Sequence, residues 1–307
     1  MTAFQEIWDP LLIGPFLWLA GIAGMGAVAY VLLRQAKVDN LKTFSWVLFI
    51  SIVAALMFVV ADLSRPWNLV NALTTSFFTG KFGLFRSWMA VGIVLLSVAA
   101  LLLFLVALRH TVNTKMLNAV VDAGWFGVLL AAVGLLVTIY SGFLIAAAPG
   151  VPFWNTALIP VLWLLSASVC ALALTELLIH RNDVAKFTVR AGTALEVAEL
   201  IAVLALVNLA MYGGTTAARA SGWALVYGPL APAFWGGVVA VGILTPLAIG
   251  LVSWRREIRL LLTVAAILAL IGALILRIVV LQAGVFEPVV WTGYQPHLFF
   301  PSLLFLT

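Results

Sequence analysis

The stretch WMAVGIVLLSVAALLLFLVAL, residues 88–108, carries no charged side chain and no proline. A helix that crosses the hydrocarbon core of a bilayer needs about 20 mainly apolar residues, because the core is roughly 30 Å thick and each residue rises about 1.5 Å. Residues 88–108 meet that requirement. So do 11–33, 43–61, 117–146, 157–178, 189–211, 233–254 and 260–281. The composition agrees: 307 residues that are 65% hydrophobic and 9% charged, with a mean hydropathy of +1.20, cannot clothe a soluble globule in polar surface. A transmembrane β-barrel is the other way to satisfy every backbone group in lipid, but its strands alternate apolar and polar residues, whereas these runs are continuously apolar.

The basic residues set an orientation. Arg34, Lys37, Lys42, Arg109, Lys115, Arg181, Lys186, Arg190, Arg255, Arg256 and Arg259 all fall after the odd-numbered helices or at the adjoining ends. Arg65, Lys81, Arg86 and Arg219 fall on the other side, with Arg277 close to it. The positive-inside rule places the first set in the cytoplasm and both termini outside. The outer side also has the longer connections, 62–87 and 212–232, where a partner would dock. With Glu6 and Asp9 and no basic residue before Leu11, the start lacks the positive region of a cleavable signal peptide, so the first helix is expected to be retained. No polar stretch is long enough to bury a core of its own, which predicts one membrane domain over 1–307. The formal charge of +5 is spent at helix ends and carries no nucleic-acid signal.

Cys170 is the single cysteine, so this chain alone holds no disulfide, zinc–thiolate site or iron–sulfur cluster. His110, His180 and His297 lie in loops or at helix ends, which leaves no ligands for a bis-histidine haem inside the bundle.

The ionisable residues within the spans need an explanation, since one at a helix centre costs about 2.5–3.5 kcal/mol on insertion scales. Asp62 and Arg65 sit one turn apart at the outer end of helix two, as an interfacial ion pair or on one cleft. Arg277 near the outer end of helix eight either snorkels outward or joins Asp62, Arg65 and Tyr140 in a polar pocket. A cation, a carboxylate and a phenol at similar depth suit a quinone. Arg or Tyr would hydrogen-bond a carbonyl oxygen, and the carboxylate would relay protons. Prolines and aromatics recur at the outer helix ends, and the Trp67-Asn68 and Trp154-Asn155 pairs offer polar donors beside such a cleft as well as an aromatic belt. Helix six carries Glu196 and, near the midplane, Glu199; each is a hydrogen-bonded neutral acid or a proton relay. Asp122, Glu176 and His180, nearer the cytoplasm, are structural or form the entrance to that relay. Pro246, between Gly242 and Gly250, is expected to kink or loosen helix seven.

At these same residues the sequence resembles the NrfD/PsrC family of membrane quinone-reactive subunits. The resemblance rests on Phe16-Leu17-Trp18-Leu19-Ala20-Gly21, on Asp62-Leu63-Ser64-Arg65-Pro66 (with Ser64 where the family has Gly), and on Tyr140-Ser141-Gly142-Phe143-Leu144 followed by Pro152-Phe153-Trp154-Asn155. Leu158-Ile159-Pro160, Glu199, Phe234-Trp235, Gly242 to Pro246 and Leu276-Arg277 extend it. The expected fold is an all-α integral membrane protein of about eight transmembrane helices, packed as two four-helix bundles with extracytoplasmic termini. The resemblance implies a haem-free plasma-membrane subunit that exchanges electrons with an extracytoplasmic iron–sulfur protein attached to a molybdopterin catalytic subunit, as in polysulfide reductase. It further implies a menaquinone or ubiquinone pocket at the outer face around Asp62, Arg65, Tyr140 and Arg277, with Trp67, Trp154 and Asn155 beside it. No metal is expected on this chain. Proton translocation through Glu199, Glu196, Glu176 and Asp122 is a further expectation. A secondary transporter with Glu199 as its midplane carboxylate, and a purely structural anchor, are the alternatives.

Overall fold

The computed structural model describes residues 4–6, 8–62, 88–112, 114–254 and 259–287. Arg65, Trp67, Arg255, Arg256, Trp291 and His297 lie outside them. The described chain is helical, apart from a single antiparallel bridge between Phe4 and Val285. Among the described residues, eight helices are long and apolar enough to cross a membrane. They are α1 (Pro10–Gln35), α2 (Lys42–Asp62), α3 (Trp88–Val112), α5 (Gly124–Ala146), α6 (Leu158–Leu178), α7 (Asn182–Tyr212), α9 (Pro232–Ser253) and α10 (Arg259–Gln282). Two short helices, α4 (Lys115–Val121) and α8 (Thr216–Val226), lie between them.

Local chemistry sets the boundaries. Asp9 caps α1, its carboxylate accepting from the Leu11 N–H at 2.8 Å, and Pro10 occupies the first turn, where no N–H partner is needed. Beyond its far end, Lys37 and Asn40 adopt positive φ and turn the chain back into α2. The apolar run 117–146 is not one helix. It breaks at Asp122–Ala123 because the Asp122 carboxylate is held by Arg109 at 3.0 Å and Arg34 at 3.5 Å, while Ala123 is extended. Helix α7 starts at Asn182, seven residues earlier than the apolar run 189–211 indicates; at about 1.5 Å per residue its 31 residues outreach the hydrocarbon core. Its first turns carry Asp183 and Lys186, both exposed.

Helix α9 departs from α geometry. Its first 13 residues, Pro232–Leu244, are π-wound, and the Thr245 N–H and hydroxyl both turn back to the Ala240 carbonyl five residues earlier. Pro246 offers no N–H and its ring crowds the carbonyl four residues before it, so wide winding upstream relieves the conflict. The loosening expected at Pro246 therefore extends back through the N-terminal half of the helix.

Helix α1 packs against α2, α5, α6 and α10, and α6 packs against α1, α5, α7 and α10, so these two helices form the interior. Small residues allow the close approaches. Gly24 of α1 lies on Gly134 and Thr138 of α5, and Gly242 of α9 lies directly on Gly272 of α10; a Cβ on any of these glycines would collide with backbone. Lipid gives apolar helices no hydrophobic reason to associate, so close packing of this kind contributes to holding them together.

Candidate functional site

Among the described charged side chains Arg277 is the most deeply buried, with an exposure of 0%. It follows Ala266, Ala269 and Ala273 on the inward stripe of α10. Facing it, α6 presents Trp163, Ser166, Ala167 and Cys170, all buried and spaced three and four residues apart along one stripe. Arg277 Nη1 donates to Ser166 Oγ at 3.0 Å and to the Ala273 carbonyl at 2.9 Å, and its guanidinium carbon lies 5.5 Å from the Trp163 ring centroid. Its other terminal nitrogen fits over Gly21 of α1, where a Cβ would come within 3.2 Å of it. Arg277 Nε has no hydrogen-bond partner among the described residues. Outward snorkelling is therefore ruled out for this side chain.

Ser166 also stands beside the Glu199 carboxyl of α7, and Arg277 and Cys170 act on that carboxyl and on one another electrostatically. Ser166 accepts from Arg277, and no ion pair joins Arg277 to Glu199 among the described residues. A guanidinium so held is a donor toward any acceptor that reaches Nε.

Glu196 and Glu199 are 7% and 3% exposed. Glu196 borders a cavity of about 60 Å³ between α6, α7, α9 and α10, together with Glu176, Thr188, Thr193, Pro246 and Gly250. A buried water needs about 10–15 Å³ measured in this way, so the cavity has room for a few. Glu176 accepts from the Thr188 hydroxyl at 2.5 Å and also borders a second space of about 130 Å³ that His180, Arg181 and Arg259 open to the helix ends. Glu176 thus borders both spaces and Glu196 the first, while Glu199 stands one turn further along α7, beside Ser166. Asp122 lies elsewhere, in its ion pairs with Arg34 and Arg109. Near it the Tyr30 hydroxyl and His110 Nε2 are 2.9 Å apart.

The other expected residues are distributed over the opposite ends of the helices. Asp62 ends α2, half-exposed, and its carboxylate accepts from the Asp9 N–H at 3.2 Å. Tyr140 of α5 is 5% exposed, with its phenol pressed against Gly92 of α3, where a Cβ would overlap the hydroxyl. One turn further out, Trp88 and Phe143 stack at 5.5 Å between the same two helices. Trp154 is buried; its N–H donates to the Val280 carbonyl at 2.9 Å, its ring stacks on Trp8 at 5.7 Å, and Gly284 lies against it. The Asn155 amide donates to the Ala146 carbonyl at 2.6 Å. Both side chains are thus committed to holding the α5–α6 connection over the end of α10. Asp62, Tyr140 and Arg277 each engage a different neighbour.

The sequence reading missed Ser166, Trp163 and Cys170 around Arg277, and Thr188 and Thr193 around the cavity. The only signal for Ser166 was a hydroxyl in a mainly apolar span that also carries Ser168 and Thr175. Among the described residues no three His, Cys, Asp or Glu side chains converge as a metal site would require.

Comparison with known proteins identifies the family. The family model described as "Polysulphide reductase, NrfD" matches residues 2–288. Protein NrfD of Escherichia coli is 29% identical, over 91% of this sequence and 95% of its own length. The NrfD homolog of Haemophilus influenzae is 26% identical, over 91% and 94%. The C polypeptide of polysulfide reductase from Wolinella succinogenes is 26% identical, over 89% and 92%. Matched along nearly its whole length, this multi-pass membrane protein belongs to the NrfD family of polysulphide reductase.

Proposed function

We propose that this chain is the quinone-reactive membrane subunit of a respiratory oxidoreductase complex, a single domain in the plasma membrane with both termini extracytoplasmic. The observation that carries the reading is Arg277: a guanidinium with 0% exposure, held by Ser166, with Nε left without a partner among the described residues. Burying an unpaired donor is expensive, and so is burying a cation, so such a group in a membrane protein signals a ligand or a proton path. A quinone carbonyl is an acceptor that suits this donor. The contacts of α1, α2, α3 and α5 with one another, and of α6, α7, α9 and α10 with one another, support a description as two four-helix bundles joined along α1, α6 and α10.

When bound, the quinone supplies two-electron, two-proton redox chemistry. In this reading Arg277 and Tyr140 orient its carbonyl oxygens, and Asp62 exchanges protons at the outer end of α2 under the influence of Arg65. Trp67 lines the pocket, while Trp154 and Asn155 support the loop above it through their bonds to Val280 and Ala146. The electrons pass to or from an extracytoplasmic iron–sulfur protein attached to a molybdopterin subunit of the polysulfide or sulfur-compound reductase type. On the cytoplasmic side, Glu176, the water-sized cavity, Glu196, Glu199 and Ser166 form a proton route that ends at Arg277. Asp122 acts outside that route, fixing the α4–α5 break through Arg34 and Arg109.

Purification of the protein from native membranes in mild detergent tests the partner. A stoichiometric iron–sulfur protein is the expected result. A solitary chain favours the second reading, a secondary transporter, for which the glutamate-lined cavity beside Pro246 and the π-wound half of α9 speak.

A further inference from the structure

Helices α1 and α7 both pack on α6 but barely touch each other. Between the last turns of α1 and the first turns of α7 this leaves a cleft of about 310 Å³. Its two walls are helical stripes. Ala29, Leu32, Leu33 and Ala36 recur at three- and four-residue spacing on α1, as do Asp183, Val184, Phe187 and Thr188 on α7, and Leu172 and Thr175 of α6 form the floor. The floor asks for nothing polar: the Thr175 hydroxyl donates to the Ala171 carbonyl, and the Thr188 hydroxyl lies between the Glu176 carboxylate and the Ala185 carbonyl. An apolar occupant therefore meets no unsatisfied group there.

The mouth is charged. Arg181 is pinned across it, donating to the Ala36 and Lys37 carbonyls at 3.0 Å each and to both Asp183 carboxylate oxygens. The charge of Asp183 is thereby spent on Arg181. Asp39 acts on Arg181 from the same side. Lys37 and Lys186, both exposed, engage in no ion pair among the described residues. The rim thus holds three cations against two carboxylates, above an apolar slot that ends at the membrane face.

We propose that this cleft is a binding site for one acyl chain of a glycerophospholipid, whose phosphate sits at Lys37 and Lys186. The slot takes the acyl chain and the net positive rim takes the phosphate. The site has a consequence for the neighbouring glutamates. Leu172 and Thr188 line both the cleft and the cavity of Glu176 and Glu196, so a seated acyl chain thickens the wall that keeps the water-sized cavity apart from the bilayer. The proposal stands whether or not the protein reacts with quinones.

The test uses the complete protein in native membranes, with p-benzoylphenylalanine incorporated at Phe187 or, as a control on the same helix, at Ile201; these positions are 57% and 63% exposed. After irradiation, mass spectrometry of the purified protein is expected to show an intact phospholipid adduct at 187 in several-fold higher yield than at 201. Ala29→Trp, which fills the slot, is expected to reduce the 187 adduct to the control level, and Lys37→Glu with Lys186→Glu to reduce it in part. Equal yields at 187 and 201 would overturn the proposal, as would an adduct with the mass of a quinone or a peptide. The comparison between the two positions needs no substitution in the core, so it decides the matter even if Ala29→Trp does not assemble.

Discussion

Ser166→Ala is the most informative single change, because it removes one oxygen from the centre of the proposed site and almost no volume. The Arg277 Nη1 loses its 3.0 Å bond and retains only the Ala273 carbonyl, while Nε already lacks a partner among the described residues. A hydrogen bond to a charged group contributes about 1.5–3 kcal/mol, and both side chains are 0% exposed. At about 1.4 kcal/mol per tenfold, a site that depends on the Arg277 position should lose roughly 10- to 150-fold in quinol-linked turnover. The same bond should appear as a lower thermal midpoint in detergent. The assay is turnover of the reconstituted complex in liposomes, with subunit stoichiometry measured on the same sample. Unchanged turnover together with an unchanged midpoint would refute the reasoning that Ser166 holds the guanidinium.

Three other outcomes are expected. Asp62→Asn retains an oxygen that can accept from the Asp9 N–H, so the complex should assemble normally and lose quinone-linked turnover; normal turnover would remove Asp62 from the chemistry. Gly92→Ala places a methyl group where the Tyr140 phenol lies, and overpacking of this kind costs about 1–3 kcal/mol. It should impair turnover in an otherwise wild-type protein but add little to Tyr140→Ala, and additive losses would show that Gly92 acts independently of the tyrosine. Glu199→Gln retains the shape of the side chain beside Ser166 but cannot release a proton, so the proton-to-electron ratio measured in proteoliposomes should fall; an unchanged ratio would count against the route.

The spans were legible because lipid imposes a one-dimensional rule: a charge-free run such as residues 88–108 has few alternatives to a membrane helix. Features decided by partners distant in sequence were not. The break at Asp122 depends on Arg34 and Arg109 closing on one carboxylate, and the run Leu117 to Val121 gives no sign of it. The π winding of α9 was half visible, since Pro246 announces a disturbance but not how far upstream it spreads. Arg277 is the clearest case. Five residues from the end of α10 it is close enough to water to snorkel, yet Trp154, Gln5 and Gly284 close over that end. The guanidinium turns inward to Ser166, whose spacing from Trp163 and Cys170 marks a face of α6 without saying what that face meets. The cost of ionisable groups in lipid singled out Asp62, Glu199 and Arg277, and resemblance to known motifs then met them and Tyr140, before their surroundings were known.

The central claim, that a quinone engages Arg277, is tested most directly by titrating the purified complex with a soluble menaquinone or ubiquinone analogue and following tryptophan fluorescence. Trp163, whose ring lies 5.5 Å from the guanidinium, is the reporter, with Trp163→Phe as the control. Saturable quenching that is lost in Arg277→Gln and reduced in Trp163→Phe is the predicted result. Quenching that is identical in wild type and Arg277→Gln, at unchanged assembly, would contradict the account.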